Sequence, residues 1–235
     1  MTSICYTPFK VPRVRATLLN SCGTPVTGCS TVVTDGIISI GMTKEYEDRE
    51  EFFVKNGDGV FCVKETNPPV LKWINLELVF CQVDPELIGI IAAEPLVLND
   101  AASPVATGYS TQEGSAANVN FAFEAWTRIS GGGVACTGGQ EYGYTIFPWV
   151  VEGTIGDITY ENGAANFTLN ARTRSNSTWG LGPYMVDYSD NPAGSTTQIP
   201  LLTPIGSLQR HRMFLTRLAP PTAVCGCQTL ADLVP

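Results

Sequence analysis

Apolar and polar residues alternate with period two along most of this chain, and the pattern breaks clearly once. Residues 72–83, Lys-Trp-Ile-Asn-Leu-Glu-Leu-Val-Phe-Cys-Gln-Val, read as a strand with Ile74, Leu76, Leu78 and Phe80 on one face. The other face carries Trp73, Asn75 and Glu77 and then turns apolar at Val79, Cys81 and Val83. The strand is therefore expected to meet water on one side and to end buried on both. Asp84-Pro85-Glu86 follows at once: an N-cap residue, proline at the first helical position, and an acid in the first turn where it suits the helix dipole. Leu87, Ile88, Ile90 and Ile91 supply an apolar side, and Ala92, Ala93 and Glu94-Pro95 close the segment. A helix of about two turns, over about residues 84–92, is expected to pack on a sheet.

The remaining pattern is β. Residues 11–20 alternate with Val14, Ala16 and Leu18 inward and Arg13, Arg15 and Thr17 outward, before a turn at Cys22-Gly23-Thr24-Pro25. Residues 31–34 and 36–42 read as strands, the second with Ile38, Ile40 and Met42 on one face. Residues 52–55 and 60–63 flank Asn56-Gly57-Asp58-Gly59, a hairpin turn in which both Asn-Gly and Asp-Gly accept positive φ. Short extended pieces at 95–98 and 107–110 precede a long strand at 118–128, with Val119, Phe121, Phe123 and Ala125 inward and Asn118, Asn120, Glu124 and Arg128 outward. A glycine-rich loop covers 131–139, and strands are expected at 142–151, 164–172 and 208–218. Residues 175–200 read as an extended loop around one brief strand at 184–188. The expected class is mainly β with one short flanking helix and long loops. A single domain over 1–235 fits, with an N-terminal arm at about 1–10 and a C-terminal arm at about 219–235.

Composition narrows what such a sheet is for. The chain is 44% hydrophobic, enough for a real core, yet only 15% of its residues are charged, against about 25% in ordinary soluble domains. A monomer of this size normally carries more surface charge, so much of this surface is expected to face other protein. The formal charge is −8, and cations cluster only at Arg210-His211-Arg212 and the Arg13/Arg15 and Arg172/Arg174 pairs, too few for a nucleic-acid grip. The one dense charge run spans residues 44–51 and holds Glu45, Glu47, Asp48, Glu50 and Glu51. Met1-Thr2-Ser3-Ile4-Cys5 lacks the basic start and apolar run of a signal peptide, and no stretch of about 18 apolar residues is present, so synthesis in a cytosol and no membrane span are expected.

Candidate chemistry is sparse. The single histidine, His211, lies in an expected strand between two arginines and reads as structural. Gly57-Asp58-Gly59 lacks the Gly-Lys-Ser/Thr of a phosphate loop. Glu77 and Glu124 both fall on outward strand faces, as a glycosidase pair would require, although nothing brings them to one place. No catalytic residue and no cofactor are expected. Among eight cysteines, Cys81 reads as a small core hydrophobe, whereas Cys22, Cys29, Cys225 and Cys227 flank turns near both ends of the chain. Those four could form disulfides or a structural metal site, but their spacing is not a standard zinc knuckle, and plain thiols are the simplest expectation in a reducing compartment.

Several segments resemble the major tail proteins, or tail tube subunits, of siphophages that infect actinobacteria. They are Val14-Arg15-Ala16-Thr17 with Cys22-Gly23-Thr24-Pro25-Val26, the strand-to-helix stretch from Leu76 to Leu87, Phe121-Ala122-Phe123-Glu124-Ala125-Trp126, Tyr142-Gly143-Tyr144 before Phe147-Pro148, the run from Gly153 to Asn162, Trp179-Gly180-Leu181-Gly182-Pro183-Tyr184, Leu202-Thr203-Pro204-Ile205, and the tail from Ala219 to Cys227. The resemblance implies a β-sandwich or barrel-like tail tube fold that assembles with itself into hexameric rings, stacked as a hollow tube in the virion tail. It also implies partners: a tape measure protein, a tail terminator and baseplate or distal tail proteins, with phage DNA passing through the lumen without specific binding. On that expectation Glu45, Glu47, Asp48, Glu50, Glu51, Glu77 and Glu124 are candidates for lumen or inter-ring contacts, because a wall of acids repels DNA and gives it no sticking points. A tail terminator or head decoration protein shares the same profile, and Trp73, Trp126, Trp149 and Trp179 leave a carbohydrate-binding module as a weaker alternative.

Overall fold

The period-two segments become antiparallel strands. The structure, a computed structural model, describes residues 6–114, 119–130, 141–158, 166–183, 185–190 and 196–230. The first half contains β1 (Thr7–Leu18), β2 (Cys29–Thr34), β3 (Ile37–Tyr46), β4 (Glu51–Lys55), β5 (Phe61–Thr66) and β6 (Leu71–Phe80). The helix α1 (Pro85–Ala92) leads into β7 (Leu96–Leu98), β8 (Ala106–Tyr109), β9 (Asn120–Ser130) and β10 (Tyr142–Ile155). Then come β11 (Phe167–Thr173), β12 (Asp187–Asp190), β13 (Thr196–Ile199), β14 (Arg212–Thr216) and β15 (Val224–Thr229). The fold is mainly β, and α1 is the one helix among the described residues. The glycine-rich loop expected at 131–139, Asn118, Ala164, Ala165 and Tyr184 lie outside the described residues.

The main sheet has nine strands in the path β15-β2-β1-β9-β10-β11-β6-β3, with β14 also paired to β10. It ends in two edges and does not close into a barrel. The long strand β10 serves two neighbours on one side: Tyr142 to Ile146 pair with β14, and Val150 to Ile155 pair with β11. A register shift against β9 between Phe147 and Val150 falls at the change of partner, and a second lies within the β11 pairing between Val151 and Thr154, where Glu152 takes φ +55. Gly153 is required at this bend, since a Cβ on it would stand 1.6 Å from the Ile91 carbonyl oxygen at the end of α1.

One face of the sheet wraps around α1, which touches β1, β2, β9, β10, β11 and β15. Ile74, Leu76, Leu78 and Phe80 from β6 point into this core beside Leu87 and Ile91. Asp84 caps the helix by accepting from the Glu86 amide at 3.0 Å, and Pro85 holds the first helical position; a cap of this type stabilises by about 1 kcal/mol. The opposite face is also covered over β9 and β10. Ala122, Trp126, Tyr144, Ile146 and Trp149 are buried there beneath Trp179, Val186, Leu201 and Ile205. Described residues of the stretch expected as an extended loop at 175–200, Trp179 and Val186 among them, thus belong to a second layer, and β12 pairs with β13.

Two expectations about faces are corrected. Cys81 is exposed rather than a core hydrophobe, and Val83 is 38% exposed, because the chain leaves the sheet at Phe80 and turns toward α1 before either residue can be covered. Outward-facing Thr17 and Glu124 are buried, because the covering layer hides the second face of the central strands.

The C-terminal arm is tied into the sheet. β15 pairs with β2 through an irregular register, and Cys29 and Cys227 form a disulfide across that pair. Asp84 adds a third tie, since its second carboxylate oxygen accepts from the Gly226 amide at 3.0 Å. The expectation of plain thiols fails for this pair because the antiparallel ladder brings their Cα atoms to 5.2 Å, inside the span a disulfide needs. The bridge closes a loop with a sequence separation of 198, worth at most about 5 kcal/mol on a chain-entropy argument. Reduction, or Cys29→Ser, should lower the unfolding midpoint and speed amide exchange over residues 224–229 while leaving β6 and α1 protected. Unchanged exchange at 224–229 would show that the bridge does not hold this strand.

Candidate functional site

The acids singled out in the sequence separate into two environments. Glu124 is 0% exposed. Arg15, its direct partner across β1 and β9, donates to it through Nε and Nη2, both at 2.7 Å. The Tyr144 hydroxyl donates to the same carboxylate, and Arg15 also lies 5.1 Å from the Trp126 ring centroid. The expectation that Glu124 faces a lumen or another ring is therefore corrected: period two puts it opposite the α1 core, but that second face is itself roofed, so its charge is spent inside the protein. Glu77 is different. It is exposed on β6 between Gly41 of β3 and Asn170 of β11, so the two carboxylates belong to different surroundings and form no pair.

Glu45, Glu47, Asp48, Glu50 and Glu51 are all exposed, and among the described residues none of them forms a salt bridge. They mark the root of a projecting hairpin. The strands β4 and β5 pair with one another around the turn at 56–59, where Asn56 Oδ1 accepts from the amides of Asp58 and Val60. Every residue of both strands is exposed. Phe52, Phe53, Val54, Val60, Phe61 and Val63 are each about half exposed or more, from 45% at Phe53 to 62% at Val60. The pairing puts Phe52, Val54 and Val63 on one face beside Glu65, and Phe53 and Phe61 on the other beside Lys55 and Lys64, so both faces of this arm carry large apolar residues.

A cleft of about 390 Å³ opens near the start of β6, where the end of β11 and the bend of β10 meet. Lys72, Arg172, Arg174 and Arg210 line it, with Trp73, Asn120 and Glu152. Arg172 stacks on Trp73 at 4.6 Å and donates to Glu152; Arg174 stacks on Trp149 at 4.6 Å. Arg210 is held by the carbonyls of Thr173 and Leu71, and burial pushes its pKa down from the ordinary arginine value. In the sequence only the Arg172/Arg174 spacing hinted at this, since two residues apart on a strand share a face; Lys72 and Arg210 arrive through the fold.

The remaining candidates do not converge. Cys22 and Cys225 are free and exposed while Cys29 and Cys227 are bonded to each other, and among the described residues no three His, Cys, Asp or Glu groups are placed to hold a metal. His211 stacks on Phe147 at 5.0 Å. Its burial, and after that the charge of Lys44, push its pKa below the ordinary histidine value. Trp126, Trp149 and Trp179 are buried and act as packing residues.

The two glutamates give a direct check on this division. Glu124→Ala, which strands Arg15 in a buried site, should cost about 3–5 kcal/mol in urea unfolding, whereas Glu77→Ala should stay within about 0.5 kcal/mol. Similar losses at the two positions would contradict the buried pairing.

No family model matches the chain, and no curated protein matches its sequence.

Proposed function

We propose that this chain is a structural subunit that assembles with copies of itself into stacked rings forming a tail tube, a conduit for DNA. The observation that carries the proposal is the β4–β5 arm. An isolated two-stranded hairpin is marginal in water, and this one projects with large apolar residues on both faces. Such a patch on a soluble chain marks a contact with other protein. A copy of the same chain is an economical partner, because among the described residues the main sheet also ends in two unpaired strand edges.

Those edges are β3 and β15, at opposite ends of the main sheet. β3 is ten residues long, with Ile38 and Met42 about half exposed. A long open edge offers a row of backbone donors and acceptors to another chain. Contacts between two different surfaces of identical subunits are head-to-tail, and they close into rings when the rotation permits. The outer face of β3, β6 and β11 presents Thr43, Asn75, Thr168 and Asn170 around Glu77, with Glu45 and Arg172 toward the start of β6. The low charged fraction and the net charge of −8 favour the role of a conduit for DNA.

Purified protein should form rings or tubes of constant width in negative stain and sediment as large species. Phe52→Ser combined with Val54→Ser and Phe61→Ser should remain monomeric with unchanged thermal unfolding, because these side chains are already solvated in the single chain. A wild-type chain that stays monomeric at high concentration, or a triple variant that assembles equally well, would sink the proposal.

A further inference from the structure

The basic cleft is out of character with the rest of the chain. The sequence holds 14 Lys and Arg against 22 Asp and Glu, yet four cations and one acid, Glu152, line a single space. Among the described residues Lys72, Arg174 and Arg210 form no salt bridge. Like charges held close repel, so an entering anion is stabilised. The site is also pre-organised. Stacking on Trp73 and Trp149 fixes two guanidinium planes, and the carbonyls of Thr173 and Leu71 fix the third, so little side-chain freedom remains to be lost on binding. Glu152 shows that a carboxylate fits: it reaches Arg172 from a backbone held at φ +55, a conformation that costs a non-glycine residue energy and concentrates at functional sites.

We infer that this cleft is a carboxylate-docking site for the acidic segment at residues 45–51 of a second copy of the chain. The inference rests on the self-assembly proposed above. Charge complementarity selects the occupant: the segment holds Glu45, Glu47, Asp48, Glu50 and Glu51, all exposed and, among the described residues, in no salt bridge within their own copy. In that copy the segment is tethered beside its own cleft, with Glu45 opposite Trp73 in the ladder and the Glu47 amide bonded to the Val70 carbonyl, and it still makes no salt bridge to Lys72, Arg174 or Arg210. The segment also leads directly into the apolar β4–β5 arm, so one contact would seat its charges and cover its phenylalanines. Duplex DNA fits less well, since a phosphate backbone is gripped by an extended basic stripe and here the cations converge on one open cleft.

Mixing experiments test the contact. Lys72→Glu with Arg174→Glu reverses the cleft, and Glu47→Lys with Glu50→Lys reverses the segment. Each variant alone should assemble at least about tenfold more weakly than wild type, as loss of close charge pairs implies, with unfolding midpoints unchanged. Mixed in equal amounts they should co-assemble, because each interface of an alternating ring again joins opposite charges. If the glutamate cleft variant does not fold, Lys72→Gln with Arg174→Gln takes its place and should still weaken assembly. Variants that each assemble normally, or a mixture that fails to restore assembly, would overturn the inference while leaving wild-type self-assembly standing. A wild type that never assembles removes both. A duplex oligonucleotide that binds wild type and is lost with Lys72→Glu and Arg174→Glu would assign the cleft to phosphodiesters and overturn it as well.

Discussion

The centre of this fold depends on one buried ion pair. Arg15 and Glu124 face each other across β1 and β9 with two hydrogen bonds, Tyr144 reaches the same carboxylate from β10, and Trp126 lies against both Arg15 and Tyr144. Three adjacent strands are thereby locked in register at a point where neither face meets water. A buried pair of this kind adds little net stability over an apolar replacement, but removing one partner leaves an uncompensated charge. It therefore acts mainly as a specificity device: a one-residue slip of β1 against β9 would strand Glu124. Around it the two cores divide the work, one wrapped on α1 and the other roofed by Trp179, Val186, Leu201 and Ile205.

Because the centre is closed on both sides, whatever the chain does is done at its periphery. There the surface changes character. The edge strand β3, the acidic root of the hairpin and the apolar β4–β5 arm follow one another along the chain to β6, whose residues Lys72 and Trp73 line the basic cleft. None of these features helps the single chain. Exposed phenylalanines cost solubility, an open edge invites pairing, and converging cations repel one another. Each becomes favourable when a second copy meets it, and that shared property underlies the proposed assembly.

Much of the fold was legible in the sequence because local signals agreed with each other. Ile74, Leu76, Leu78 and Phe80 alternate as a core face should, Asp84-Pro85-Glu86 starts a helix for clear electrostatic and steric reasons, and Asn56-Gly57-Asp58-Gly59 turns a hairpin. What escaped was long-range. Alternation says that Glu124 opposes Phe123, but it does not say that a loop some sixty residues later roofs the second face. Cys29 and Cys227 became neighbours only through pairing of β2 with β15, Lys72 met Arg172 and Arg174 only through pairing of β6 with β11, and Arg210 joined them through the carbonyls of Thr173 and Leu71. For the same reason the basic cleft was invisible while its acidic counterpart, contiguous in sequence, was plain. Cys81 failed differently: period two carried the strand past Phe80, and the chain turned toward α1 there instead.

The most direct test is a cryo-electron microscopy reconstruction of the purified chain at high concentration. Stacked rings are expected, in which the β4–β5 arm of each copy is buried against a neighbour. Dispersed monomers, or an assembly in which that arm remains surrounded by solvent, would contradict the proposed function.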